Sequence, residues 1–225
     1  EFKIEERVLG LPEHLNGHLV QLKVKDFIGE VSRESPTPGG GSVAALAGAL
    51  GAALESMVSN LTANKRGSEK IDKILNETAE NSQEIVNDLM NGIDADTDAF
   101  NAFIKAKRLP SRTSEEKKIK FEAEQKGLKE AVLVPFNTAE LSFNVIKLAE
   151  TVVQYGNPAS ITDAAVGALI AYAGVKSGIY NVLVNLKDVR DEKFVKDLKE
   201  KCSKLKDESE EKLSIINKLV ESKIK

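Results

Sequence analysis

Across residues 68–108 the apolar side chains recur at helical spacing, and the length of that pattern limits what the chain can become. On a helix turning about 100° per residue, Ile71, Leu75, Ile85, Leu89, Ile93, Phe100 and Phe103 fall within roughly a quarter-turn. A helix of about 40 residues spans roughly 60 Å, longer than a compact domain of this size. It needs other long helices beside it, and it favours dimerisation along its length. One residue interrupts the stripe. Asp96 lies at its centre, while Asp94 and Asp98 point the opposite way. A carboxylate taken out of water without a partner costs several kcal/mol, so Asp96 must be paired, protonated or working.

The rest of the chain also reads as helix. Residues 24–33 make a short amphipathic helix with Phe27, Ile28 and Val31 inward. Ser35-Pro36-Thr37-Pro38-Gly39-Gly40-Gly41-Ser42 cannot continue it, because the prolines fix φ and disfavour helix in the residue before each. The loop opens into a helix over about residues 42–63, whose Ala44, Ala47, Gly48, Gly51 and Ala52 let another helix approach closely. The 68–108 helix is single or broken near Gly92, and it stops before Pro110. Thr113 and Glu116 then form a capping box for a helix running to Gln154, with Pro135 as a kink or break. Residues 160–184 are apolar on all sides apart from Asp163 and Lys176, so that helix must be covered all round. Residues 192–224 form a long charged helix. No strand alternation survives, and the expected fold is an all-α bundle of five or six long helices: a tail or linker over residues 1–22, then one domain over 23–225.

Composition narrows the function. Of 225 residues, 32 are basic and 35 acidic, a net charge of −3 that provides no basic field for nucleic acid. The longest apolar run, residues 43–54, is too short to span a bilayer. The single cysteine, Cys202, cannot form an internal disulfide, which fits a reducing, cytoplasmic setting. His14 and His18 stand four residues apart, but Gly17 and the lack of a third ligand argue against a metal site. No serine has a histidine in a recognisable triad. The chain starts at Glu1 rather than Met, so it reads as a domain excised from something longer.

Two features remain for chemistry. The loop over residues 36–42 lacks the Gly-Lys-Ser/Thr of a phosphate-binding loop. It is either a rigid connector or a cradle in which the N–H groups of Gly39, Gly40, Gly41 and Ser42 meet an anionic or carbonyl-bearing ligand. Asp96 is either a structural carboxylate paired with another helix or a general acid or base whose pKa is raised by apolar neighbours. Lys65 and Arg66 fit a solvated surface as well as they fit a ligand, and Lys176 fits a carboxylate partner as well as a ligand. Asp163 lines up with Gly167, Gly174 and Asn181 on one edge of its helix, where polar groups could simply bond across an interface.

At Ser35-Pro36-Thr37-Pro38-Gly39-Gly40-Gly41-Ser42-Val43-Ala44-Ala45 the chain resembles the formiminotetrahydrofolate cyclodeaminase family, whose fold is shared by a branch of methenyltetrahydrofolate cyclohydrolases. The resemblance continues in order through Met57-Val58 with Thr62, Asp94-Ala95-Asp96 to Ala99-Phe100, Arg108-Leu109-Pro110, Gly127-Leu128, Ala131-Val132, Pro135, Ala139-Glu140, Gly156-Asn157, and Asn181-Val182-Leu183 with Asn185-Leu186. It covers about residues 22–200. The family's catalytic aspartate matches Asp96, its Pro/Gly loop lies at the folate cleft, and an Asp after its Gly-Asn turn matches Asp163.

The reaction so implied closes 5-formiminotetrahydrofolate to 5,10-methenyltetrahydrofolate and releases ammonia, with Asp96 moving the proton. On that reading Asn157, Asn181 and Asn185 hold the pterin or the formimino nitrogen, and Lys65, Arg66 and Lys187 meet the glutamate carboxylates of a folate that carries one or several. No metal or redox cofactor is required, and a homodimer or higher homo-oligomer is the expected state. Arg108-Leu109-Pro110-Ser111 with Ser114-Glu115-Glu116-Lys117 resembles the cyclodeaminase branch, and the tail resembles a linker behind a formiminotransferase domain. Two rivals stand: a cyclohydrolase giving 10-formyltetrahydrofolate, and a non-catalytic helical assembly module. The enzymatic readings predict a polar groove holding Asp96 beside the Gly39 to Ser42 loop.

Overall fold

The structure, a computed structural model, describes residues 18–63, 65 and 68–224. Within them the chain makes six α-helices and no strand: α1 (Val24–Val31), α2 (Gly40–Thr62), α3 (Glu69–Lys107), α4 (Ser114–Tyr155), α5 (Ile161–Asn185) and α6 (Glu192–Lys223). Short 3-10 turns at Leu19–Gln21, Pro158–Ser160 and Leu186–Asp188 complete it.

The ends of these helices follow local chemistry. Thr113 caps α4 as the sequence requires: its hydroxyl accepts from the Glu116 N–H at 3.1 Å, and the Glu116 carboxylate accepts from the Thr113 N–H at 3.0 Å. Asp191 caps α6 through the Phe194 N–H. Helix α3 runs unbroken for 39 residues, with Gly92 no interruption. Pro135 does not break α4 either, and the reason lies in another helix. Proline has no N–H for the carbonyl four residues back, and the freed Ala131 carbonyl accepts instead from Asn185 Nδ2 of α5 at 2.8 Å.

Helices α2 and α5 run antiparallel, joined by small residues. A methyl group at Gly51 would come within 2.8 Å of the Gly167 carbonyl, and one at Gly174 within 3.1 Å of the Ala44 carbonyl. A methyl group at Gly178 would come within 2.7 Å of the Pro135 carbonyl of α4. Leu75 and Leu89 of α3, Val132 and Ile146 of α4, and Val175 and Val182 of α5 are fully buried in the resulting core. Helix α6 is held by Glu210, whose Oε1 accepts from the Tyr172 hydroxyl at 3.1 Å and from Lys176 Nζ at 3.0 Å. Lys176 thus takes the carboxylate partner that its sequence position allowed.

Two expectations about coverage change. Helix α5 is not enclosed all round by its own chain: Val166, Leu169, Tyr180, Leu183 and Val184 are exposed. Alongside them α2 exposes Val43, Leu50, Met57 and Leu61, spaced at seven, seven and four residues and therefore on one side. The outer face of α3 instead carries charges such as Lys73 and Glu77, so between α3 and the α2–α5 pair it is the pair that leaves an apolar face uncovered. Both of these segments are long and apolar enough to cross a membrane by length and composition alone. In α1, Phe27 is buried, but Ile28 turns outward at 56% exposure.

Candidate active site

Helix α2 begins where α3 presents Asp96. The first N–H groups of a helix have no intrahelical acceptor, and Asp96 Oδ2 accepts from the Ser42 N–H at 3.1 Å. That approach requires Gly41, because a methyl group there would overlap the Asp96 carboxylate. The Ser42 hydroxyl donates to the Ile93 carbonyl at 2.7 Å and lies 3.4 Å from the Thr97 hydroxyl, fixing the start of α2 against α3. Gly40 faces Asn181 of α5, whose Nδ2 would stand 3.3 Å from a methyl group there. Two glycines, Gly40 and Gly41, thus let a carboxylate, a helix N-terminus and a side-chain amide meet.

Burial raises the Asp96 pKa above its ordinary value, and hydrogen bonding from Ser42 opposes part of that rise. The group is half-buried, neither in open solvent nor sealed in the core. A carboxyl in that state both accepts and returns a proton closer to neutrality than a surface aspartate does.

The predicted residues separate into two groups. Gly39, Gly40, Gly41, Ser42, Asp96 and Asn181 come together at one end of the α2–α5 pair, with Asn185 and Lys187 at that same end of α5. Asn185 carries the structural bond to Ala131, so its Nδ2 is committed. Lys187 is exposed and lines a groove of about 480 Å³ with Val189, Glu192 and Lys196. Lys65, Asn157 and Asp163 lie at the other end, about 30 Å away along α2. There the Asn157 N–H donates to Thr62 Oγ1 at 2.8 Å, and its side chain accepts from the Ala159 N–H at 3.0 Å, shaping the turn. Asp163 stands in the first turn of α5, where a negative charge suits the helix dipole. Arg66 and His14 lie outside the described residues, and His18 Nδ1 sits 3.9 Å from Asp94. Grooves of about 500 Å³ between α4 and α6, and about 490 Å³ between α3 and α4, include none of these site residues.

Residues 23–204 match the family model described as formiminotransferase-cyclodeaminase. The chain belongs to the formiminotransferase-cyclodeaminase family. It is 35% identical over 205 residues to the formimidoyltransferase-cyclodeaminase of Gallus gallus, covering 91% of this chain and 38% of that relative's length. It is 40% identical over 174 residues to the methenyltetrahydrofolate cyclohydrolase of Methylorubrum extorquens, covering 77% of this chain and 84% of the relative. The crystal structure of formiminotetrahydrofolate cyclodeaminase from Thermotoga maritima superposes with a TM-score of 0.82 at 28% identity, covering 91% of this chain and 98% of that one.

In this family member one ionisable residue had escaped the sequence reading. Glu55 of α2 is fully buried, and neither carboxylate oxygen has a hydrogen-bond partner. It fits because Gly167 of α5 lacks a side chain; a methyl group there would overlap Oε1. Burial drives its pKa well above the ordinary value. The signal was present in the sequence, since Glu55 follows Gly48 and Gly51 on the same small-residue face of α2. Cys202 is also buried, and burial followed by the Glu140 charge pushes its thiol up to about 11, away from nucleophilic use.

Proposed function

We propose that this chain is a formiminotetrahydrofolate cyclodeaminase in which Asp96 carries the proton. The observation that carries the reading is the Asp96 carboxyl, its pKa raised by burial, held over the N-terminus of α2 in a space that only glycine at position 41 leaves open. In the reaction, N10 of the folate attacks the formimino carbon, forming an N10–C bond. Asp96 accepts the N10 proton from the tetrahedral adduct and returns it to the formimino nitrogen. The C–N bond to that nitrogen then breaks, ammonia leaves, and the N5–C–N10 unit becomes the methenyl bridge. The chemistry calls for no metal or redox cofactor, and general acid-base help of this kind contributes roughly 10²- to 10⁴-fold. In this proposal Asn181, which lies beside Gly40 and donates from Nδ2 to the Ser177 carbonyl at 2.8 Å, orients the substrate through its side-chain oxygen.

Folate binding extends this reading to the separated residues. The α2–α5 face exposes apolar side chains along its whole length, with the Asp96 group at one end and Lys65, Asn157 and Asp163 at the other. An isologous dimer across that face, with its two-fold axis perpendicular to the helices near their middle, carries each far end over the partner's near end. The partner's Lys65 and Asp163 then stand beside Asp96, with the basic side chain facing the glutamate carboxylates. A cytoplasmic setting and an upstream formiminotransferase domain are part of the same proposal.

The second reading is methenyltetrahydrofolate cyclohydrolase, favoured by the 40% identity to the Methylorubrum protein of that name. Water then replaces the amine, and the same acid group serves. Ammonia release from 5-formiminotetrahydrofolate, measured beside hydrolysis of 5,10-methenyltetrahydrofolate, separates the two. Cyclodeaminase predicts stoichiometric ammonia, whereas cyclohydrolase predicts hydrolysis without it. Neither product from either substrate removes both. Co-expressing a D96N chain with a D163A chain tests the dimer: recovery of activity in the mixed dimer places the site between subunits.

A further inference from the structure

The segment before α1 is fastened to α3 two residues from Asp96. The Leu19 N–H donates to Asp94 Oδ1 at 2.7 Å, and the Val20 N–H donates to Oδ2 at 3.3 Å. Asp94 is 20% exposed at its side chain and faces these two donors rather than solvent alone. Behind this attachment Phe27, Ala45 and Ile93 form a small core of their own, packed by Leu19, Leu22, Val31 and Leu46. The chain then passes through residues 32–39 into the glycines that adjoin Asp96. The loop is therefore held to α3 from both sides: at its exit by Ser42 on Asp96 and Ile93, and at its entry by this small core and by Asp94.

We propose that Asp94 is a positioning residue, a clasp whose carboxylate fixes the N-terminal strap and so sets the height of the Gly39 to Ser42 cradle over the substrate. The geometry favours this role because a carboxylate accepting two backbone N–H groups forms charge-assisted bonds, stronger than neutral ones. Asp94 touches neither the cradle nor Asp96; it acts through the strap. The catalytic half of the inference rests on the cyclodeaminase reading, while the structural half does not.

The test uses the whole chain with Asp94→Ala and Asp94→Asn, read by steady-state kinetics and by backbone hydrogen exchange. Removing the clasp, with both of its backbone bonds, should raise KM about tenfold, while kcat changes less because the Asp96 side chain itself is retained. Exchange should quicken over residues 18–22 and over 39–42 and stay unchanged in α4 and α6. Asn keeps one oxygen for the 2.7 Å bond and should recover most of the KM. Unchanged KM and unchanged exchange in the Ala variant would overturn the proposal. So would a general loss of helix content, which would make Asp94 a support of the fold rather than of the cradle. If the wild-type chain turns over neither folate, the activity reading fails by itself, and the exchange pattern alone decides the clasp.

Discussion

Asp96 and Glu55 are two carboxyl groups that burial pushes in the same direction, yet their surroundings assign them different work. Asp96 sits at a helix N-terminus, only half-buried, with the Ser42 N–H as a donor and its carboxylate lying against the Gly41 backbone. Glu55 sits mid-helix in a fully buried seam, with no protein partner for either oxygen and Gly167 pressed against it. A raised pKa therefore does not mark a catalytic group by itself. Access and fixed donors do, because a proton can be exchanged with a substrate only where a substrate can reach.

The sharpest break of this comparison is Asp96→Asn, which should lower kcat for ammonia release by roughly 10²- to 10⁴-fold with the helical circular dichroism unchanged. Gly41→Ala comes next. The added methyl group displaces the Asp96 carboxylate, and turnover should fall roughly a hundredfold, the scale expected for a misplaced reacting group.

At Glu55 the effect should appear in stability. A folded-state pKa above the unfolded one gives stability that is fully present below about pH 4.5 and lost as pH rises towards the folded value. Glu55→Met should therefore stabilise the chain by about 1–3 kcal/mol at pH 8, with the gain shrinking on acidification and kcat unaltered. Urea unfolding at several pH values reads it, and a pH-independent difference would contradict the burial argument. The smallest effect belongs to Asn185→Ala, which leaves the Ala131 carbonyl unpaired and should cost about 1–2 kcal/mol. Adding Pro135→Ala restores an N–H for that carbonyl, so the double variant should recover much of the loss.

Helix boundaries were legible in the sequence because periodicity, Pro110, the Thr113 box and the Gly156 turn each act locally. Asp96 was legible for the same reason, as a charge on an apolar stripe. Asn185 was not, because its task is set by a proline on another helix, and only the packing of α5 on α4 brings the two together. The separation of Lys65, Asn157 and Asp163 from Asp96 was equally hidden. Sequence order matches residues to a site without saying which end of an antiparallel helix pair each occupies, or whether one chain supplies them all. Helical periodicity points Asp94 away from Asp96 without showing that it points towards a strap, whose position depends on the tertiary fold.

The most direct test of the account is the pH dependence of kcat/KM for ammonia release from 5-formiminotetrahydrofolate, compared between the wild type and D96N. A proton-carrying Asp96 predicts an acid limb lying above the ordinary aspartate value of 3.8 in the wild type and absent from the residual rate of the variant. An identical limb and a comparable rate in D96N would show that another group moves the proton.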